Sequence, residues 1–298
     1  MALETLAFND VLNNDIAHFF KSGNIRRSEK NKQLDIIHHL LPEKGNHGTN
    51  LEYDIWYEFK NEPKIRGYVY TDVMTKFVYL KPASYMYCKK ILRSSLEKEI
   101  TEEGENIFND IANNNTDKYN LQTTDIEYPF VIFLAGTNIL EEITDDVKVL
   151  KAVKERGAKL KPHPLTSPFG LSFLKAQYGK DCLIPKNLSG HTVLNKARTV
   201  GCTSNSEMGL VALTKGKRVE LFDRKNVVPK TYTAIYTVLF ENGYPIIEDF
   251  KRMLSSEDSG LISYLSKDPE KNINNFFKYF KRVLHVRPKR PKSLDTRK

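Results

Sequence analysis

The chain has 298 residues, 40% hydrophobic and 11% aromatic, so it can bury substantial cores and is not disordered overall. Its 46 Lys and Arg against 37 Asp and Glu give a formal net charge of +9, which points to an anionic partner such as a nucleotide, a nucleic acid or an acidic membrane surface. No apolar run reaches the ~18 residues of a membrane span, and Glu4, Asp10 and Asp15 stand where a signal peptide carries basic residues, so neither an integral membrane nor a secreted protein is expected. Cys88, Cys182 and Cys202 form no CxxC pair, which excludes a disulfide scaffold, disfavours a zinc site and fits a reducing, cytoplasmic setting. Cys202 lies in an apolar run and reads as a small core residue.

In chain order, helical signals cover residues 31–41 and 87–103, and strand-like runs rich in Tyr, Val and Phe cover 52–59 and 64–80. Residues 106–124, rich in Asn, Asp and Thr, read as a polar linker. An alternating pattern follows. A strand at 130–134 leads to a helix at 145–156 that starts at Asp145-Asp146 and stops at Gly157. Strand 158–160, helix 169–178, strand 181–184, helix 192–197, strand 199–202, helix 207–214 and strand 218–222 complete it. Strands alternating with short helices predict βαβ units and a parallel sheet. Residues 231–284 read as helical, and the Pro- and Lys/Arg-rich end, 287–298, as mobile.

Ligands of open parallel sheets bind beyond the carboxyl ends of the strands. Three predicted loops lie there: Gly136-Thr137-Asn138, Lys161-Pro162-His163-Pro164 and Thr203-Ser204-Asn205-Ser206. Gly136 permits close backbone approach, and Thr137 and Asn138 offer hydrogen bonds. Lys161 supplies a point charge, and His163 a donor held between two prolines. Ser204 and Ser206 precede a helix, whose free N–H groups attract anions, although a Ser there is most often a cap alone. Glu207 is placed to accept from ribose hydroxyls.

The stretch from Lys161-Pro162-His163-Pro164 through Thr203-Ser204-Asn205-Ser206-Glu207, with the continuation Thr214-Lys215-Gly216-Lys217-Arg218-Val219, resembles the nucleotide-binding half of GT-B glycosyltransferases. It is most similar to bacterial capsule and sialic-acid transferases that carry a His-Pro motif followed by a Ser motif. The resemblance covers residues 128–225. It implies an α/β, GT-B-like fold: a smaller N-terminal α/β acceptor domain over 1–124, a Rossmann-like donor domain over 125–230, and C-terminal helices with a basic tail over 231–298. It further implies transfer from a nucleotide sugar, with donor phosphates on His163, Ser204 and Ser206, flanked by Pro164 and Asn205.

The acidic motif that carries the catalytic base in that family is missing from residues 1–125. Asp72, after a strand-like run, is the expected base, with Asp54 and His47 as rivals. No DxD pair is placed to hold a metal, so no cofactor and no divalent ion are expected, and Lys161, His163 and helix dipoles would neutralise the leaving group. For the acceptor, basic blocks next to aromatics (Tyr85, Tyr87, Phe276, Phe277, Tyr279, Phe280) suggest double-stranded DNA. The expected acceptor is 5-hydroxymethylcytosine in bacteriophage DNA, with Arg287, Lys289, Arg290 and Lys292 contacting phosphates. The alternatives are a membrane-surface capsule or lipopolysaccharide transferase that lays residues 272–286 on lipid, and a non-catalytic nucleotide- or DNA-binding module. For the aromatics at helical spacing, Phe276, Phe277 and Phe280, packing in the core is the simpler role.

Overall fold

The computed structural model describes residues 16–22, 52–59, 65–71, 77–82, 84–114, 121–136, 139–225, 229, 231–263 and 266–285. The described part of the chain opens with four strands, β1 (Ile16–Ser22), β2 (Glu52–Phe59), β3 (Ile65–Thr71) and β4 (Phe77–Pro82). They pair as an antiparallel meander. Helices α1 (Tyr85–Ser95) and α2 (Glu102–Asn113) follow. Residues 106–113 are therefore helical, not the first half of a linker. Ile107, Phe108 and Ile111 fall on one face of α2 and are buried, and the Thr101 hydroxyl caps its start by accepting from the Gly104 N–H. The polar residues that suggested a linker occupy the opposite face.

The next elements are β5 (Tyr128–Phe133), the single turn α3 (Leu140–Ile143), α4 (Asp146–Arg156) and β6 (Lys159–Lys161). Asp145 caps α4 through the Lys148 N–H, and Gly157 ends it at φ 64°, as the sequence pattern requires. Then come α5 (Pro168–Tyr178), α6 (Gly190–Lys196), β7 (Ala197–Cys202), α7 (Glu207–Thr214) and β8 (Arg218–Leu221). The strand expected at 181–184 is instead a 3-10 turn, Lys180–Cys182, with one isolated bridge from Leu183 to Leu160. Too few backbone groups face β6 there to form a ladder.

The fold is mixed α/β, with a parallel four-stranded sheet in the order β6-β5-β7-β8. Both faces of this sheet are buried. Val131 and Phe133 of β5 and Val200 and Cys202 of β7 face one core, shared with α6 and α7, while Phe130 and Ile132 face a second core, shared with α4 and α5. Gly201 lies where the sheet meets Phe222: a Cβ there would stand 2.7 Å from the Phe222 ring and 2.8 Å from Ile132.

The segment expected to be helical throughout contains α8 (Thr233–Leu239), α9 (Ile247–Ser255), a strand β9 (Leu261–Ser263) and α10 (Pro269–His285). β9 pairs antiparallel with β4, so the meander becomes a five-stranded sheet, β1-β2-β3-β4-β9. Helix α8 packs on α1, α9 on α2, and α10 on α1 and β9. One core thus runs from Phe77 and Tyr79 of β4 through these helices to the parallel sheet. Along α10, Phe276, Phe280 and Val283 are buried, and Tyr87 meets Phe280 edge-on at 6.0 Å. These three side chains are packed against protein, and the rings of Phe276 and Phe280 are core rather than stacking platforms for bases. No helix among the described residues is long and apolar enough to cross a membrane.

An ion pair fixes the end of α4. Arg156 donates to both Glu220 oxygens, at 2.6 and 2.8 Å, with its guanidinium over the Phe130 ring. The hydrogen bonds from Arg156 hold the Glu220 carboxyl below its ordinary range. Its stabilisation is therefore present above the unfolded carboxylate pKa of about 4.3 and is lost as pH falls through the folded value. Glu220→Gln should flatten the acid limb of stability against pH while leaving the slope between pH 6 and 8 unchanged, as read by denaturant titration at each pH. Separately, Gly201→Ala should cost about 1–3 kcal/mol by overpacking, seen as a lower denaturant midpoint at constant m-value.

Candidate functional site

The sheet register sets where the strands end. Phe133 pairs with Lys161, Ile132 with Gly201, and Cys202 with Leu221. Phe133, Lys161, Cys202 and Leu221 consequently stand level, and the loops 134–136, 162–164, 203–206 and 222–224 all leave from one edge. At a strand spacing of ~4.8 Å, the loops after β6 and β7 begin roughly 10 Å apart, with β5 between them. Strand order reverses between β5 and β7, the place where such sheets bind ligands. The start of α6 closes that place from one side: a Cβ on Gly190 would lie 3.4 Å from Met208 of α7 and 3.9 Å from Phe133.

The His-Pro turn is tied down from beneath. Lys161 is 2% exposed, and its ammonium donates to the carbonyls of Pro162 and Lys186, each at 3.0 Å. Lys186 in turn donates to the Thr166 carbonyl at 3.0 Å, and the Thr166 N–H returns to the His163 carbonyl at 2.9 Å. Lys161 is thus a strut under the turn whose charge lies behind it. His163 is half-buried, and its Nδ1 accepts from the Leu165 N–H at 3.2 Å. That bond assigns the proton of a neutral ring to Nε2, the outer donor. Pro164, which follows it, and Gly136 are half-buried too, and the Gly136 carbonyl accepts from the Ile139 N–H.

The Ser loop is held differently. The Ser204 N–H and hydroxyl both donate to the Asp223 carboxylate, at 2.9 and 2.8 Å to Oδ1, and the same hydroxyl is 3.0 Å from the Thr233 hydroxyl. Ser204 is 5% exposed, so its side chain braces the loop against the end of β8 and the start of α8. Ser206 caps α7, accepting from the Met208 N–H, and its carbonyl takes the Tyr236 hydroxyl at 2.6 Å. The half-buried Asn205 accepts from the Thr203 hydroxyl at 2.6 Å. Glu207 lies in the first turn of α7 and is 7% exposed. Burial pushes the Cys202 thiol up to about 12, so it stays protonated and serves as packing.

Asp223, Thr233, Tyr236 and Lys186 are the positioning residues that sequence reasoning missed. The signal for Asp223 was present: it follows a fourth parallel strand, at the same edge as the three loops that were singled out. Thr137 and Asn138 lie outside the described residues, as do Asp72, His47, Arg287, Lys289, Arg290 and Lys292. Asp54 is in β2, opposite Lys21 of β1 and Tyr68 of β3. Among the described residues, no three His, Cys, Asp or Glu side chains cluster to hold a metal ion. No protein-family model matches the chain, and no curated protein matches it.

The two hydrogen bonds that Ser204 donates to Asp223 predict coupled losses. Ser204→Ala and Asp223→Ala should each lower stability by about 1–3 kcal/mol. The double variant should cost less than their sum, because both remove one interaction. Chemical denaturation of the four proteins of the cycle measures the coupling, and strict additivity would contradict the bracing role.

Proposed function

We propose that the chain is a GT-B-like glycosyltransferase that moves a sugar from a nucleotide-sugar donor to a hydroxyl. The observation that carries this reading is the alignment of His163, Asn205 and Ser206 at one carboxyl edge, on either side of the point where strand order reverses. The donor phosphate lies between the His-Pro turn and the Ser loop, which is the role the family resemblance gives these motifs. In the reaction the acceptor oxygen bonds to the anomeric carbon as the bond from that carbon to the phosphate oxygen breaks. The nucleotide leaves with the electron pair, and the acceptor proton passes to a base, for which Asp72 is the proposed residue. The Nε2–H of His163 and the buried charge of Lys161 oppose the charge that grows on the leaving phosphate. The proposed acceptor is 5-hydroxymethylcytosine in DNA, whose primary hydroxyl suits this chemistry. A lipid-linked or capsular saccharide is the second acceptor, favoured by the exposed apolar side chains of Leu165 and Phe169, which follow His163 in the chain.

Thermal melting across UDP-, GDP- and CMP-sugars tests the donor site. A donor at 100 times its Kd should add about 2.7 kcal/mol of stability. His163→Ala should weaken that donor about ten- to hundredfold by calorimetry, the loss expected for a hydrogen bond to a charged group. A flat response to every nucleotide sugar, or an unchanged affinity in His163→Ala, would remove the donor assignment. Transfer of labelled sugar to hydroxymethylated DNA, to unmodified DNA and to lipid-linked saccharide then separates the acceptors.

A further inference from the structure

Helix α5 has two apolar faces. Gly170, Leu174 and Tyr178 are buried against the parallel sheet, as a surface helix requires. The outward face carries Phe169, Ser172, Phe173 and Ala176 and no charge. Phe169 is 81% exposed and Phe173 37%, and Leu165, one turn earlier in the chain, is 70% exposed. Seven large hydrophobics are exposed among the described residues, and these three of them fall within nine positions at four-residue spacing. Scattered exposure does not produce that ridge.

Basic side chains outnumber acidic ones in the chain around the ridge. Residues 159–187 contain Lys159, Lys175, Lys180 and Lys186 against the single acid Asp181, besides Lys161, whose charge is buried under the His-Pro turn, and Asp146 of α4 meets the inner side of α5 at Tyr178. Lys175 and Lys180 are exposed, on the flank and just past the end of α5. The ridge is also small. The area it exposes is roughly 350 Å² for two aromatic rings and one leucine. A stable protein interface buries about 800 Å² on each partner and is depleted in Lys. A short apolar ridge with a basic rim instead matches an interfacial surface, where shallow insertion and attraction to acidic headgroups act together.

We propose that Leu165, Phe169 and Phe173, with Lys175 and Lys180, dock this protein peripherally on an anionic lipid bilayer. The docking does not depend on the donor assignment. If both hold, the Leu165 N–H bond to His163 links the ridge directly to the donor site, and the bilayer lies beside that site.

Sedimentation of the full chain with vesicles of phosphatidylcholine, with and without 30 mol% phosphatidylglycerol (about the anionic content that gives a strong surface potential), tests this. Binding should require the anionic lipid. It should fall at least tenfold in Leu165→Ser/Phe169→Ser/Phe173→Ser, and about fivefold for each of Lys175→Gln and Lys180→Gln. Phe169→Trp should show a blue-shifted emission on anionic vesicles. The serine substitutions are on exposed side chains, so circular dichroism should be unchanged, and the shift in melting temperature with donor should persist. Absence of vesicle binding by the parent chain overturns the proposal, as does equal binding by the triple serine variant. Concentration-dependent dimerisation abolished by the serine substitutions overturns it too and assigns the ridge to a second copy. Any of these leaves the donor reading standing, and a flat donor screen with intact vesicle binding leaves the docking standing.

Discussion

Burial of the parallel sheet on both faces constrains everything else in this molecule. Side chains of β5 alternate between two separate cores, so each strand must be followed by a helix that crosses to cover one face or the other. Parallel strands joined in this way all finish at the same edge. The register then holds four loops level, and the chemistry-bearing residues meet there although up to about 90 positions separate them in the chain. Convergence at this edge results from packing and needs no direct attraction among the loops.

A buried edge carries an electrostatic burden, which the structure meets by pairing polar groups with one another. The hydroxyl and the backbone N–H of Ser204 satisfy Asp223, Lys161 satisfies two carbonyls, and the Tyr236 hydroxyl satisfies the carbonyl of Ser206. Their donors stand in β6, in α8 and in the loop after β7, so the loops are held from behind. An arrangement fixed before a ligand arrives loses little conformational freedom on binding. It also divides the work: Ser204 and Lys161 fix positions, while the outer face of the turn belongs to His163.

The alternation of strand and helix was legible from residue 128 because each helix has a local signal, such as Asp145 and Gly157 around α4. The level ends of the strands followed from that pattern. What sequence reasoning missed was carried by tertiary contacts. Helix α2 was hidden by its own polar face, since only the burial of Ile107, Phe108 and Ile111 distinguishes it from a loop. Strand β9 is three residues long and gains its identity from β4, about 180 positions away. The partners of Ser204 and Lys161 were hidden for the same reason. A serine before a helix or a lysine at a strand end shows nothing in sequence of the distant group that will accept its hydrogen.

The pairing of β4 with β9 has a consequence for how the chain is made. During synthesis the meander leaves the ribosome with the outer side of β4 unpaired, and its closing strand comes about 180 residues later. At 5–20 residues per second that interval is roughly 10–40 s. Over this time Tyr79, Phe77 and Leu80, all buried in the finished protein, belong to a hydrophobic edge that any other nascent chain can extend. When β9 arrives, the Leu80 N–H bonds to the Gly260 carbonyl at 2.8 Å, and Gly260 at φ 83° makes the bend that lets the strand enter. Translation speed and chaperone supply should therefore set the yield of this protein more strongly than its equilibrium stability does.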